Sequence, residues 1–469
     1  MPKVDLKNLP KSSVIHFIGA DGIGMSSIAE VLLKMGFAVQ GSNEIDGENL
    51  EHLKILGAKV FVGHNAQNLN NVDIVVFSSA VPETNVEMIE AKRLNLPIIE
   101  RAEMLQSVMA LKKSVGVSGT HGKTTTTSFV GTLLQESGLN PTVIDGGIIT
   151  HYNSSNLAGD GDWVVAETCE AFGNLKHFTA DIAVITNIDA EHMEFYHTFE
   201  NLKNYFREYI ERVPATGLAV LCADHKVVME LKEEFEGQKN IITYGFSPDA
   251  DIRAEKIKFD IDGGYFDAIY KDGSRLENLH IPLFGRHNIL NCLVALAVAK
   301  FLNISEDKVR NSLLKFEGVK HRFSKVGKVN GITIFDDYAH HPKEIETTLT
   351  MARDVVGNGK IMAIFQPHRY SRLTDLFNDF LNCFEKADFV VCMPVFAAGE
   401  SSLNMKNHSD FYNSLKQIKK DNVYQISDFT EITDIVLSNL KPDDIIISFG
   451  AGDIKHMIYE LPKMIESKK

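Results

Sequence analysis

The stretch SVGVSGTHGKTTTTS, residues 114–128, constrains this chain more than any other feature. An apolar run reading as a strand enters a glycine turn, and the turn feeds a helix that opens with Lys and Thr. Backbone N–H groups of such a turn point at an anion, the helix dipole adds positive potential, and Lys123 supplies a full charge. The commoner loop of this type reads G-x-x-x-x-G-K-[ST]. Val117 stands where its first glycine belongs, so the loop is shortened to Gly119-Thr120-His121-Gly122-Lys123-Thr124, with Thr125 next. The spacing places Lys123 at the β- and γ-phosphates of a nucleoside triphosphate and the Thr124 hydroxyl at Mg²⁺.

The same strand-loop-helix grammar recurs on both sides. VIHFIG followed by ADGIGMSSIAEVLLKMG opens a first block, continued by AVQGS, DIVVFSS and PIIE. The block holding the phosphate loop continues with DWVVAE, DIAVITN, a helical run near 199–212 and GLAVLC. Between about 242 and 283 come short alternating segments with Asp-Gly turns, the texture of antiparallel strands, and then the helix HNILNCLVALAVAKFL. A third block begins near His321 with ITIFDDY, a helix from Pro342, IMAIFQ, a helix near 373–384, DFVVCMPV and DIIISFG. Alternation of this kind predicts parallel sheets with helices on both faces, three α/β blocks in all.

A chain of 469 residues is long enough for several cores. No apolar run approaches the roughly 18–20 residues of a membrane span, and the N-terminal residues lack the apolar core of a secretory signal. Five cysteines without a CxxC pair fit reduced thiols, so a cytoplasmic location is expected. The net charge of −14 argues against a nucleic-acid partner, which needs a basic face. An anionic ligand must therefore be held by local positive charge.

Several strand ends carry polar groups where a parallel sheet collects its site. Glu167 ends WVVAE, and His192 follows IAVITNIDAE. Together they are able to hold a second divalent cation; a solvated Glu and a satisfied His are the alternative. In FDDYAHHP, His340 and His341 are poorly placed as a metal pair, because neighbours on extended chain face opposite ways, and hydrogen bonding to a nucleotide suits them better. FQPHRYSR puts His368, Arg369 and Arg372 past the next strand as a receiver of carboxylate or phosphate, against the alternative of a surface arginine pair. The N-terminal loop Gly19-Ala-Asp-Gly22-Ile-Gly24 taken alone also fits a dehydrogenase, although Asn43 follows the second strand where a ribose-binding acid is usual.

HFIGADGIGMSSIAEVL, VQGSN, SSAV, RAEML, GTHGKTTTT, TNID-x-EHM, GRHNILN, HRF, DDYAHHP, FQPHRYSR, VFAAGE and GAGDI stand in one order along the chain. In that order and spacing they resemble the Mur ligases of peptidoglycan synthesis, most closely the branch that joins L-alanine to UDP-N-acetylmuramate. The resemblance implies three domains: a Rossmann-like UDP-substrate domain over 1–106, a phosphate-loop domain with extra antiparallel strands over 107–322, and a Rossmann-like domain over 323–469. It implies an ATP- and Mg²⁺-dependent enzyme, monomer or homodimer, that activates a carboxylate as an acyl phosphate for attack by an amine.

By the same resemblance Gly19, Gly22, Gly24, Met25, Ser42, Ser78 and Ser79 meet the UDP substrate. Gly119 to Thr125, with His287, Asn288, Asn291, Arg322, Asp336, Asp337 and His340, meet ATP. Thr124, Glu167 and His192 hold metal, Lys123, His192 and Arg369 are catalytic, and Tyr338, His368, Arg369 and Arg372 surround the amino acid. The chain departs from the family at three places. Where many members read E-A-D-E-S-D it reads Glu167-Thr-Cys-Glu-Ala-Phe172, the aspartate usual after GS is Asn43, and the first loop carries Asp21. The nearest rival reading is a murein peptide ligase, which attaches a recycled tripeptide to the same nucleotide sugar.

Overall fold

The computed structural model describes residues 4–260, 262–403 and 405–468. The chain packs as two compact units: Met1–Ile257, Tyr265–Pro282 and Arg286–Glu317 in the first, Lys258–Gly264, Leu283–Gly285 and Gly318–Lys469 in the second. Three sheets underlie them, as the alternation of strands and helices predicts.

The first sheet contains β1 (Val14–Ile18), β2 (Ala38–Asn43), β3 (Lys59–Val62), β4 (Ile74–Phe77) and β5 (Ile98–Glu100) in the order β3-β2-β1-β4-β5. Its pairings are all parallel. Glu87, in the first turn of helix Val86–Arg93, gathers its polar groups. Ser42 Oγ donates to Glu87 Oε2 at 2.5 Å, Asn68 Nδ2 to Oε1 at 2.6 Å, and the Asn65 N–H to Oε1 at 3.2 Å. His16 and His64 lie 3.3 and 3.2 Å from Oε2.

The second sheet contains β6 (Lys113–Ser118), β7 (Thr142–Ile149), β8 (Ser154–Ala158), β9 (Trp163–Glu167), β10 (Ile182–Ile185), β11 (Leu218–Cys222), β12 (Ile241–Gly245), β13 (Ile252–Asp260), β14 (Gly263–Tyr270) and β15 (Arg275–Ile281). Their order is β15-β14-β13-β12-β11-β10-β6-β9-β7-β8. The strand before the phosphate loop thus lies inside the sheet, in parallel register with β10 and β9. The tight connections β13–β14 and β14–β15 suit only antiparallel neighbours, as the Asp-Gly turns predict. Antiparallel β7–β8 is a hairpin that the apolar pattern did not announce. Helix Phe199–Glu211 buries Leu202, Phe206, Tyr209 and Ile210, one face at helical spacing, and Thr198 caps it by accepting the Asn201 N–H.

The third sheet contains β16 (Ser324–Val329), β17 (Ile332–Asp337), β18 (Ile361–Phe365), β19 (Phe389–Cys392), β20 (Val423–Gln425) and β21 (Ile445–Phe449), ordered β16-β17-β21-β18-β19-β20. Only the β16–β17 edge is antiparallel. Strands β18 and β21 are buried throughout, which explains their unbroken apolar sequences. The single helix expected near 373–384 is two, Tyr370–Asp375 and Phe377–Cys383, because the chain leaves helical geometry at Leu376. Cys169 is half-buried and the other four cysteines are buried, all as free thiols.

Burial opposes ionisation of Glu87, yet its bonds from His16, Ser42 and Asn68 win and hold its carboxyl down at about 2 against an ordinary 4.5. A depressed folded-state pKa stabilises the fold above the unfolded value and loses that contribution as pH falls through the folded one. Glu87→Gln is therefore expected to cost about 2–3 kcal/mol at pH 7. In urea unfolding, the gap between wild type and variant should narrow as pH drops from 5 toward 3.

Candidate functional site

Strand β6 ends at Ser118, and the chain turns through Gly119 (φ 131°) and Gly122 (φ 81°) into helix Lys123–Glu136. Both φ values lie in the region that side chains avoid. A Cβ on Gly119 would also collide with Thr186 Oγ1, and one on Gly122 would sit 2.8 Å from Asn291 Oδ1. The glycines thus satisfy both a conformation and a close approach.

The loop is strapped from outside by the segment after β10. The Thr120 N–H donates to the Asn187 carbonyl at 3.1 Å. The His121 N–H donates to Asn187 Oδ1 at 2.7 Å, while Asn187 Nδ2 and Thr186 Oγ1 donate back to the His121 carbonyl at 3.0 and 2.6 Å. The Asp189 N–H closes the strap on Thr120 Oγ1 at 2.8 Å. Thr186, Asn187 and Asp189 were legible as part of a family motif but not as the residues that shape the loop.

Lys123 Nζ donates to the carbonyls of Gly119 and Thr120 at 2.5 and 3.1 Å, and to Glu170 Oε1 at 3.1 Å. Glu170 is almost wholly buried; its Oε2 lies 3.0 Å from the same ammonium but accepts no hydrogen bond. Glu170, Glu191 and His192 bring ligand atoms within 4.8 Å of one another, the one such group among the described residues. Of the expected metal set, His192 lies in this group, and Thr124 and Glu167 meet each other. Glu167 accepts from Thr124 Oγ1 at 2.8 Å, whereas Glu170 and Glu191 are the carboxylates beside His192. A buried carboxylate, an exposed carboxylate and an imidazole are a donor set that fits a divalent cation. Asn291 is buried against the loop, Thr125 lies half-buried in the helix's first turn, His287 is exposed and Asn288 half-buried.

In the first block, Gly19, Gly22, Gly24, Ser78 and Ser79 are at least partly open to solvent at the carboxyl ends of β1 and β4. Met25 is buried in the core, and Ser42 is buried with its hydroxyl committed to Glu87. Both side chains are thus engaged within the first block.

The second unit has its own polar edge. Asp336 is buried, accepting from Ser448 Oγ at 2.8 Å and lying 2.5 Å from His321 Nδ1. Asp337 accepts the Phe323 and Ala339 N–H groups at 2.9 and 2.7 Å, and burial raises its carboxyl to about 7. Both carboxyl groups are thus engaged with protein groups. Phe323 stacks on Phe335 at 4.3 Å, so the HRF and FDDY segments pack as one piece with Arg322 exposed beside them. Tyr338, His340, His368 and Phe396 form a chain of rings at 5.4, 5.9 and 5.4 Å. Arg372 Nη1 donates to the His368 carbonyl at 3.3 Å. Arg369 is exposed at φ 72°, with its N–H fixed to the Phe396 carbonyl at 2.8 Å. Burial and the two neighbouring arginines, with His340, hold the His368 imidazole below its ordinary value.

Fold and loop define a phosphate-loop α/β protein with a cation-suited acidic group beside its lysine. Residues 14–113 match the family model "Mur ligase family, catalytic domain", 117–299 "Mur ligase middle domain" and 321–452 "Mur ligase, glutamate ligase domain". The chain belongs to the Mur ligase family. It is 43% identical over 453 residues to the UDP-N-acetylmuramate--L-alanine ligase of Bradyrhizobium diazoefficiens, covering 96% of this chain and 97% of that one. Among solved structures it is similar to the UDP-N-acetylmuramate-alanine ligase of Thermotoga maritima, with a TM-score of 0.80, 29% identity and coverage of 97% and 99%. A murein peptide ligase of Psychrobacter arcticus shares the fold at a TM-score of 0.64 and 22% identity, covering 97% and 99%. Among the described residues no helix is long and apolar enough to cross a membrane.

Asn187→Ala removes two side-chain bonds to His121 and leaves a backbone N–H and carbonyl short of partners. We expect nucleoside-triphosphate binding, by titration calorimetry, to weaken about tenfold from the loss of one to two net hydrogen bonds. Unchanged binding would show that the loop holds its shape without the strap.

Proposed function

We propose that this chain is an ATP-dependent ligase that joins L-alanine to the lactyl carboxylate of UDP-N-acetylmuramate. The observation that carries the reading is Lys123, held in a shortened phosphate loop against Glu170, in a chain similar along nearly its whole length to a ligase of that name. The lysine has few protein partners to give up, and all of them are oxygens that a phosphate oxygen replaces. Loop amides and the ammonium hold the triphosphate, with His287, Asn288 and Asn291 at its adenine end. Glu170, Glu191 and His192, with Thr124, would hold Mg²⁺, which when bound supplies charge neutralisation on the phosphates.

The substrate carboxylate attacks the γ-phosphorus, ADP leaves, and an acyl phosphate forms. Alanine's amine then attacks the acyl carbon, loses a proton and displaces inorganic phosphate. Lys123 stabilises the charge that shifts among phosphate oxygens during the first step. In the second unit Arg369 and Arg372 receive alanine's carboxylate, and the ring chain from Tyr338 to Phe396 keeps that receiver in shape. A murein peptide ligase is the alternative, and comparing alanine with tripeptide as the amine distinguishes the two.

Phosphate release should require ATP, UDP-N-acetylmuramate and alanine together, and Lys123→Ala should abolish it while circular dichroism stays near wild type and the melting temperature falls, because Glu170 loses its buried partner. Turnover surviving in a folded Lys123→Ala protein would remove the lysine from the chemistry. Arg369→Lys keeps a charge but loses the planar fork that binds a carboxylate bidentately. Its expected phenotype is a tenfold to hundredfold higher alanine requirement, from roughly 1.5–3 kcal/mol of charge-assisted hydrogen bonding. Acyl phosphate trapped by borohydride should be undiminished; reduced trapping with a normal alanine dependence would assign Arg369 to the phosphate.

A further inference from the structure

Beside His192 stands an aromatic side chain that the phosphate chemistry does not use. Phe172 is 51% exposed, and its backbone lies at φ 56°, ψ 27°, a conformation that bulky side chains avoid. The segment around it is fixed on both sides. The Thr168 N–H donates to the Val117 carbonyl at 2.8 Å, Glu170 is paired with Lys123, and Tyr196 OH donates to the Glu170 carbonyl. The Gly173 N–H donates to the Glu170 carbonyl at 3.1 Å, and a Cβ on Gly173 would lie 2.6 Å from the Phe195 ring. Local structure therefore forces the chain into left-handed geometry at Phe172 and turns the ring outward. Its neighbour is His192, itself at φ 55°, with ring centroids 6.0 Å apart and planes tilted by 39°.

A residue that pays backbone strain to expose a large apolar surface, where aspartate is usual in the resembled motif, gains nothing for the core. Strained non-glycine residues of this kind gather at ligand sites, where the surrounding structure holds them. The ring lies against His192, whose imidazole is grouped with Glu170, the carboxylate paired with the phosphate-loop lysine Lys123. We infer that Phe172 is a specificity-determining residue for the acceptor acid, packing its ring against the apolar face of the sugar and lactyl group of the nucleotide sugar. The inference rests on the ligase reading above. It leaves activation to Lys123 and the cation-suited group, and gives Phe172 a role in ground-state binding alone.

Two variants of the full chain test this. Phe172→Asn tolerates left-handed geometry but removes the ring; Phe172→Tyr keeps the ring. Phe172→Asn should melt at or above the wild-type temperature, bind UDP-N-acetylmuramate about tenfold more weakly by calorimetry, and raise its KM by the same factor. Its KM values for ATP and alanine, and its kcat, should stay near wild type, and Phe172→Tyr should restore binding. A Phe172→Asn protein that binds UDP-N-acetylmuramate as wild type does overturns the inference while leaving the ligase reading intact. A shift confined to the ATP KM overturns it in favour of a nucleotide contact. Wild-type protein that fails to bind UDP-N-acetylmuramate overturns both.

Discussion

The parallel pairing of β6 with β10 is the constraint on which the candidate site depends. It sets Ser118 opposite Ile185, so the two chains leave the sheet side by side, one as the phosphate loop and the other as Thr186-Asn187-Ile188-Asp189. Thr120 and His121 of the loop then meet Thr186, Asn187 and Asp189 of the strap, and backbone groups that a tight glycine turn leaves without partners find them across the gap. With the Thr120 and His121 N–H groups held by Asn187, the loop keeps its shape and leaves the N–H groups at the start of helix Lys123–Glu136 for an anion, which is where preorganised sites gain their strength.

The acidic group beside Lys123 follows from the same sheet. Strand β9 lies on the other side of β6, and its continuation carries Glu167 to Thr124 and Glu170 to Lys123, while the continuation of β10 supplies Glu191 and His192. Two neighbours of one strand thus deliver carboxylates from opposite sides of a single helix start. Burial of Glu170 would be costly for a lone carboxylate, and the ammonium compensates it. The sequence reading names Glu167 as a metal ligand and gives Glu170 no role, although Glu170 is the one grouped with Glu191 and His192. Periodicity does not separate them, because the chain after β9 is irregular and bends through left-handed geometry at Phe172 and Gly173.

Similar long-range decisions run through the other two blocks. Ser42 and Met25 stand in motifs that resemble a substrate loop, yet the fold spends the hydroxyl on Glu87 and the thioether on the core. Asp336 and Asp337 end an apolar strand, the usual place for a ligand-facing acid, but serve to hold His321 and the backbone of Phe323. In each case the partner lies many residues away along the chain.

The sequence by itself determined what depends on neighbours along the chain. Apolar runs such as IMAIF and IIISF could become only buried strands, SGTHGKT only a turn into a helix start, and the face Leu202, Phe206, Tyr209 and Ile210 only a docked helix. It determined the three-block alternation and the family for the same reason, since ordered motifs are linear information. Tertiary structure alone decided the hairpin β7–β8, whose glycine- and polar-rich strands carry no clear period, and the break at Leu376. It also decided which carboxylates gather beside His192 and which are taken up by other protein groups. Those choices turn on burial and on pairing across the sheet, where groups distant in sequence come within 3 Å and the cost of an unpartnered buried charge selects the arrangement.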